Sequence, residues 1–324
     1  MISFPSFLPS QLKTHESPIL VIGGPTAIGK TRLGITLAEE LNGEVIAADS
    51  MQVYRYLDIG TAKPTLRERM GIPHHMIDVV DPDQPFSAAD YRRLAQRAIQ
   101  DIHGRRKIPI VIGGTGFYIK TLIRGLFPGP GEDPGIRARL QMEARIEKGR
   151  GLYERLKNVD PRAAARIHPN DIFRIIRALE VWELTGRPIS SWQEEHRKSS
   201  HPIKAFIFGL ICSRGELYRR VEARVDRMFE WGLVEEVRGL LSRGYSPDLK
   251  PLQGLGYGHV VGYLQGKYSL EEAIILMKRD TRRYAKRQIT WFKWMEGLKW
   301  VQVEKEGDFS EPLSFIKKSL ESQG

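Results

Sequence analysis

The sequence GPTAIGKT at residues 24–31 constrains the fold of this chain more than any other segment does. It fits the pattern Gly-x-x-x-x-Gly-Lys-Ser/Thr, directly follows an apolar run at 19–22, and precedes leucines spaced by four residues. In such a loop the glycines let backbone N–H groups surround phosphate oxygens, and the helix that follows adds the positive end of its dipole. Lys30 supplies a point charge, and the Thr31 hydroxyl can reach Mg²⁺ or a phosphate oxygen. The segment therefore predicts a phosphate-binding loop between a strand and a helix.

Short apolar runs alternate with helical patterns before residue 125. The runs at 19–22, 45–48 and 108–112 are typical of parallel strands that helices cover on both faces. The predicted fold class is therefore α/β, with a P-loop-type parallel sheet flanked by helices. Ligands of such sheets bind at the carboxyl ends of the strands. The residues that these ends bring together are those of the loop, Asp49 and residues 113–115.

The pattern changes near residue 124. The following stretch is rich in arginine and helical in spacing, with no strand-like run until an apolar run at 206–211. The economical interpretation is an all-helical domain inserted between two strands of the sheet. The predicted boundaries are a flexible N-terminal lead-in at 1–17, the first part of the P-loop core at 18–123, the helical insertion at 124–203, the second part of the core at 204–303 with a basic helix over 270–300, and a C-terminal tail at 304–324.

The composition narrows the class of protein. Fifty Lys and Arg against 39 Asp and Glu give a net charge of +11, which favours a polyanionic partner, with nucleic acid the first candidate. The single cysteine, Cys212, excludes a disulfide framework and a zinc finger, and it indicates a reducing cytoplasm. No apolar run approaches the roughly 18 residues that a membrane span needs, so no membrane partner is expected.

Two other groups of residues are interpreted as structural. The adjacent His74 and His75 suggest a metal site, but neighbouring side chains point in different directions and no third ligand is evident. The tryptophans of the C-terminal part are expected in the core rather than as stacking platforms. They are Trp291, Trp294 and Trp300.

The phosphate loop by itself is typical of a nucleotide kinase or NTPase. Such enzymes usually hold Mg²⁺ with an acid that ends a central strand. The run at 108–112 ends in Gly-Gly-Thr without an acid, and Asp49 ends a different strand. The loop could thus hold a diphosphate leaving group while Asp49 faces a second substrate. A Mg²⁺ ligand or a helix N-cap remains the alternative role for Asp49.

Several blocks together resemble one family, the tRNA dimethylallyltransferases (tRNA isopentenyltransferases). They occur in the family's order from about Pro18 to Trp294. Besides the phosphate loop, they are DSMQVY at 49–54, GTAKP at 60–64, HHMID at 74–78, FSAADY at 86–91, GGTGFY at 113–118 and RRYAKRQITW at 282–291. The chain departs from the family pattern at two positions. Ile28 lies where Ser is frequent, and Gly258 lies where Lys or Arg is common, so a tRNA contact from position 258 is in doubt.

The resemblance implies transfer of a dimethylallyl group from dimethylallyl diphosphate to N6 of the adenine 3′ of the anticodon, position 37, in tRNAs that read codons beginning with U. A carboxylate can remove the proton of the weakly nucleophilic amine, and the resemblance gives this role to Asp49. Fixed cations and N–H donors stabilise the departing diphosphate, a role that the resemblance gives to Lys30, Thr31 and Mg²⁺ as cofactor. It also makes Arg224 a diphosphate clamp, although its place on the helix fits a structural ion pair equally well.

The resemblance also implies the two sets of binding residues. The amide of Gln52 can donate and accept as the edge of adenine does. The residues expected to bind diphosphate are Gly24, Pro25, Thr26, Ala27, Ile28, Gly29, Lys30 and Thr31. Those expected to bind a tRNA anticodon stem-loop are Asp49, Ser50, Met51, Gln52, Thr115, Arg137, Phe173, Arg174 and Arg177. The enzyme is expected to be a monomer.

Three alternative functions remain open at this stage. An isopentenyltransferase acting on free AMP or ATP would share the loop, but it would not need a basic helical insertion. A small-molecule P-loop kinase needs only the loop and Asp49, and it would consume ATP. A non-catalytic RNA-binding module leaves the phosphate loop beside Asp49 unexplained.

Overall fold

The computed structural model of the chain describes residues 18–146, 149–199 and 202–322. They form two compact units. The first contains the described residues up to Ile123 and from Ile203 onward, and the second contains those within Arg124–Pro202. The lead-in expected at 1–17 lies outside the described residues.

The first unit is built on one sheet of six parallel strands in the order β3-β2-β4-β1-β5-β6. The strands are β1 (Ile19–Gly23), β2 (Gly43–Ala47), β3 (His74–His75), β4 (Ile108–Gly113), β5 (Ala205–Ile211) and β6 (Leu298–Gln302). Because all strands run in one direction, the segments that follow β1, β2 and β4 emerge at the same edge. The predicted α/β fold with a parallel sheet flanked by helices is confirmed.

The helices of this unit cover both faces of the sheet. They are α1 (Lys30–Glu40), α2 (Ala88–Gly104), α3 (Gly116–Arg124), α9 (Arg214–Glu230), α10 (Leu233–Ser242), α11 (Tyr257–Leu264), α12 (Leu270–Phe292) and α13 (Ser310–Glu321). Leu33 and Leu37 of α1 pack in the cluster on one face, and Tyr91 of α2 packs with Ile119 of α3 in the other. Full burial of each large apolar side chain contributes roughly 1.5–3 kcal/mol, so these stripes fix the helices against the sheet.

The second unit is all-helical and has a core of its own. Its helices are α4 (Pro134–Ile146), α5 (Arg150–Val159), α6 (Pro161–Ala164), α7 (Ile172–Thr185) and α8 (Ile189–Ser199). Leu140, Leu156, Ile175 and Leu179 are completely buried at its centre. No strand occurs among the described residues of this unit.

The C-terminal region differs from the sequence prediction in three places. The helix predicted over 270–300 ends at Phe292, because a turn with Gly297 at φ 78° leads into β6. The expected tail contains α13, whose Ile316 and Leu320 are buried in the core. Trp294 is 86% exposed, so its expected place in the core is wrong. Spacing of apolar residues could not distinguish a short strand from the continuation of a helix.

The two adjacent histidines lie on the edge strand β3. The ring of His75 is 2.7 Å from the buried Glu44 carboxylate, and His74 Nδ1 is 2.8 Å from the Ile72 carbonyl oxygen. Burial opposes ionisation of Glu44, but hydrogen bonds from Arg105, His75 and Lys107 outweigh it and lower the pKa of this carboxyl to about 2. No group of three metal-ligating side chains occurs within the described ranges. None of the described helices is both long and apolar enough to span a bilayer.

Candidate active site

The phosphate loop joins β1 to α1 in a conformation that favours glycine at two positions. Gly24 has φ 140° and Gly29 has φ 95°, which are values that favour glycine. A Cβ at Gly24 would lie 2.8 Å from the Leu210 carbonyl oxygen, and one at Gly29 would lie 2.4 Å from the Phe309 ring. Ile28 is fully buried and contributes to the core. The two glycines therefore let Leu210 and Phe309 pack directly against the backbone of the loop.

Two cations line this loop. Lys30 Nζ donates to the Pro25 carbonyl oxygen at 2.7 Å, and Arg224 Nη1 donates to Thr26 Oγ1 at 3.0 Å. Neither side chain forms an ion pair with another described residue. Burial and the nearby Arg224 lower the pKa of Lys30 to about 7, with Asp49 acting in the opposite direction. The structural ion pair considered for Arg224 is therefore not formed with any described residue. Because burying a charge without a partner is costly, two such cations favour the binding of an anionic ligand.

Asp49 follows β2, and one oxygen of its carboxylate accepts hydrogen bonds from the backbone of the turn that comes directly after it. Its Oδ1 accepts the backbone N–H of Met51 at 2.8 Å and that of Gln52 at 3.4 Å. Asp49 thus caps a turn, not an α-helix. No group in the described part of the chain donates to Oδ2. The charge of Asp49 stabilises the charged forms of both Lys30 and Arg224, so the carboxylate lies near the two loop cations.

The rest of the 49–54 block is held in place by neighbouring loops. Gln52 Nε2 donates to the carbonyl oxygens of Thr61 and Ala62 at 3.2 and 3.4 Å, which leaves its Oε1 without a donor among the described residues. Thr115 Oγ1 accepts the backbone N–H of Ser50 at 3.1 Å. Asp49, Ser50, Gln52 and Thr115 therefore belong to one partly exposed cluster beside the phosphate loop.

Two residues of α12 were missed as site residues by sequence reasoning. Gln288 Oε1 accepts the backbone N–H of Thr26 at 2.8 Å, and Gln288 Nε2 donates to the Gly114 carbonyl oxygen at 2.9 Å. One helical turn away, the Tyr284 hydroxyl lies beside the side chains of Thr115 and Gln288. Burial and the charge of Asp49 raise the pKa of Tyr284 to about 12, so the phenol stays protonated. Both residues lie in the matched block at 282–291, and their spacing of four was the available signal.

The four candidate residues of the helical unit fall into two pairs. Arg137 Nε and Arg177 Nη1 lie 2.8 and 2.7 Å from the two oxygens of the fully buried Glu180. In contrast, Phe173 is 76% exposed and Arg174 is exposed, with an ion pair to Asp171 at 3.1 Å. The side chain of Arg174 is 67% exposed, against 19% for Arg137 and 25% for Arg177, so Phe173 and Arg174 are the most exposed members of this set.

Gly258 lies in the first turn of α11. A Cβ at this position would be 3.0 Å from the Gln253 carbonyl oxygen, so a longer side chain would require the neighbouring backbone to shift slightly. Close local packing therefore favours glycine over Lys or Arg at position 258 in this chain.

Comparisons with known proteins identify the family of this chain. The family model described as IPP transferase matches residues 52–295. The chain is 55% identical over 287 residues to a tRNA dimethylallyltransferase of Geobacter sulfurreducens, covering 89% of this chain and 92% of that protein. Among solved structures, it is 41% identical to the full-length tRNA isopentenylpyrophosphate transferase from Bacillus halodurans, with a TM-score of 0.69 and coverage of 94% and 97%. It is 32% identical to a eukaryotic dimethylallyltransferase acting on tRNA, with a TM-score of 0.79 and coverage of 92% and 77%. The chain belongs to the IPP transferase family, which includes these tRNA dimethylallyltransferases.

Proposed function

We propose that this protein transfers a dimethylallyl group from dimethylallyl diphosphate to N6 of the adenine 3′ of the anticodon, position 37, in tRNAs that read codons beginning with U. The observation that carries the proposal is the proximity of the Asp49 carboxylate to a phosphate loop that holds two cations without ion-pair partners among the described residues. We expect a cytoplasmic monomer that binds the anticodon stem-loop.

The donor side of the reaction requires stabilisation of the leaving group. As the bond between C1 of the dimethylallyl group and the diphosphate oxygen breaks, the electron pair and negative charge pass to the diphosphate. Lys30 and Arg224 exchange their contacts with the Pro25 carbonyl and the Thr26 hydroxyl for the diphosphate oxygens. Fixed donors of this kind lower the barrier more than they stabilise bound substrate, because they match the charge that develops.

Mg²⁺ is proposed as the cofactor of the donor site. This ion commonly keeps several waters and binds few protein groups together with substrate phosphates. The hydroxyl of Thr31, directly after Lys30 in the first turn of α1, fits such a donor set. When bound with the diphosphate, the ion would neutralise part of its charge.

The acceptor side of the reaction requires removal of a proton. The lone pair of the adenine amine is delocalised into the ring, so N6 becomes nucleophilic enough only as its proton leaves. N6 forms the new bond to C1, and its proton passes to Asp49 Oδ2, the oxygen that accepts no hydrogen bond from the described residues. The backbone of the 50–52 segment and Gln52 Oε1 would orient the adenine, which must leave its stack to reach this carboxylate.

The tRNA body would be bound mainly through its phosphates. Phe173 and Arg174 of the helical unit offer an exposed aromatic ring and an exposed cation, and Arg137 and Arg177 support α7 beside them. Thr115 and Met51 complete the proposed contacts near the acceptor. Phosphate contacts release counterions, so tRNA affinity should fall steeply with salt.

Mass spectrometry of nucleosides tests the proposal directly. The protein is incubated with dimethylallyl diphosphate and Mg²⁺, together with unmodified tRNA bearing adenine at position 37 in one tube and AMP in another. We expect a gain of one dimethylallyl group on adenosine in the tRNA tube alone. Gain only with AMP would move the function to a free-nucleotide enzyme. No gain in either tube, with ATP consumed in a parallel assay, would indicate a kinase.

The role of Asp49 is tested with D49N. General base catalysis contributes roughly 10²–10⁴-fold, so we expect the single-turnover rate to fall by about that factor. D83N is the matched control, because Asp83 is an exposed aspartate with no described contact to the site. A D49N rate close to that of the wild type would refute the role of Asp49 as base.

A further inference from the structure

We propose that α12 sets the alignment of the two substrates: Gln288 holds the phosphate loop, Tyr284 holds the acceptor segment, and the two are positioning residues for the transfer step. This inference rests on the proposed function. It concerns the relative position of the donor carbon and the acceptor nitrogen, not the binding of either substrate alone.

Gln288 fixes the donor side through both ends of its amide. Its Oε1 accepts from Thr26 at 2.8 Å and its Nε2 donates to Gly114 at 2.9 Å, so the loop after β1 is tied to the turn after β4. The side chain is 6% exposed. A Cβ at Gly114 would lie 2.1 Å from Gln288 Nε2, so the turn accommodates this amide only because residue 114 is a glycine. The contact also removes the Thr26 N–H from the donors available to phosphate.

Tyr284 fixes the acceptor side through Thr115. The phenol hydroxyl lies beside the Thr115 side chain, and Thr115 Oγ1 accepts the N–H of Ser50, the residue after Asp49. The Thr115 hydroxyl also donates to Ser50 Oγ at 3.4 Å, so two contacts tie Thr115 to the residue after Asp49. One face of a single helix therefore contacts the segments that carry the diphosphate-binding cation Lys30 and the base Asp49.

The helix is itself fixed across the edge of the sheet. A Cβ at Gly23 would lie 2.5 Å from the Phe292 ring, and one at Gly116 would lie 2.3 Å from Trp291. These close approaches flank the Gln288 contact at the carboxyl ends of β1 and β4. Because cores pack densely and compress little, a helix seated this closely leaves the two loops that it contacts little room to shift.

Alignment matters because the transfer joins two bound groups. Reacting atoms must approach to about 3–3.5 Å along the direction of displacement, and a misplacement of about 1 Å can cost roughly 10²-fold in rate. Loss of the Gln288 amide should therefore lower the rate of transfer much more than it weakens either substrate complex.

The test uses Q288M, which keeps a side chain of similar length without the amide. Single-turnover transfer to tRNA is measured, together with the Kd of tRNA and that of inorganic diphosphate with Mg²⁺. I275A is the matched control, because Ile275 is 65% exposed on the same helix and outside the site. We expect the Q288M transfer rate to fall by about 10- to 100-fold while both Kd values stay within about threefold of wild type, and I275A to match wild type throughout.

The outcomes separate this inference from the proposed function. Wild-type protein that transfers no dimethylallyl group refutes the function. Wild-type activity with an unchanged Q288M rate, or with a rate loss that is fully explained by weaker Kd values, overturns the positioning role. If Q288M fails to fold, Y284F takes its place, since it keeps the ring and removes only the hydroxyl that lies beside Thr115. The same separation of rate from affinity is expected for Y284F, and its absence there would equally overturn the inference.

Discussion

The binding of diphosphate should be coupled to the uptake of a proton by Lys30. Burial first, and Arg224 second, lower the pKa of Lys30 to about 7, while Asp49 partly offsets them. These are the charged groups that face the ammonium, from α9 on one side and from the segment after β2 on the other. A bound diphosphate adds negative charge beside the ammonium and should return its pKa towards the ordinary value of 10.5.

The pKa of Lys30 sets the direction and the size of the pH dependence of diphosphate binding. Below pH 7 most of the ligand-free protein already carries charged Lys30, so affinity should depend little on its titration. Above pH 7 binding must first add a proton, which costs about 1.4 kcal/mol for each further pH unit. The Kd of diphosphate should therefore rise by up to about tenfold per pH unit between pH 7.5 and 9.

Calorimetry with inorganic diphosphate and Mg²⁺ measures both effects. Titrations at pH 8 in two buffers of different ionisation enthalpy should reveal the uptake of close to one proton. K30R is the control, because a guanidinium stays protonated throughout this range and the titration of the ligand itself is the same in both proteins. The reasoning is refuted if K30R shows the same dependence on pH as wild type, or if wild type takes up no proton at pH 8.

Three further predictions concern stability and tRNA binding. E44Q should lower the free energy of unfolding at pH 7 by about 2–3 kcal/mol. The difference from wild type should shrink as pH falls from 4.5 towards 2, because protonation of Glu44 in the folded protein removes the stabilisation that its lowered pKa provides. Urea denaturation at several pH values measures the free energy of unfolding of both proteins. In the same assay, the free energy of unfolding of Y91F should equal that of wild type or be higher by up to about 1 kcal/mol. The reason is that the buried Tyr91 hydroxyl has no hydrogen-bond partner among the described residues. W294A should raise the Kd of tRNA by about 5- to 100-fold, because the exposed ring of Trp294 is available to stack on RNA bases. W231A removes another exposed tryptophan and should leave the Kd unchanged. Equal effects of the two variants in filter binding would exclude stacking by Trp294.

The sequence predicted the parts of the site that depend on local pattern. The phosphate loop, its strand and its helix are contiguous, so the glycine spacing and the apolar runs were enough to place Lys30 and Thr31. The parallel arrangement of the strands followed from their short apolar runs, and it placed Asp49 and residues 113–115 at the same edge as the loop. The matched blocks then predicted the family, which the comparisons confirmed.

Only the tertiary structure decided which of the basic side chains are exposed to a ligand. Arg137, Arg174 and Arg177 look alike in the sequence. In the structure, Arg137 and Arg177 form ion pairs with the buried Glu180, whereas Arg174 is exposed next to the exposed Phe173. Gln288 contacts Thr26 and Gly114, which precede it in the chain by 262 and 174 positions, so no local pattern could reveal these contacts. Hydrophobic spacing reports which face of an element is buried. The partner of a buried amide or carboxylate depends instead on where distant segments meet, and that is set by the packing of the whole sheet and its helices.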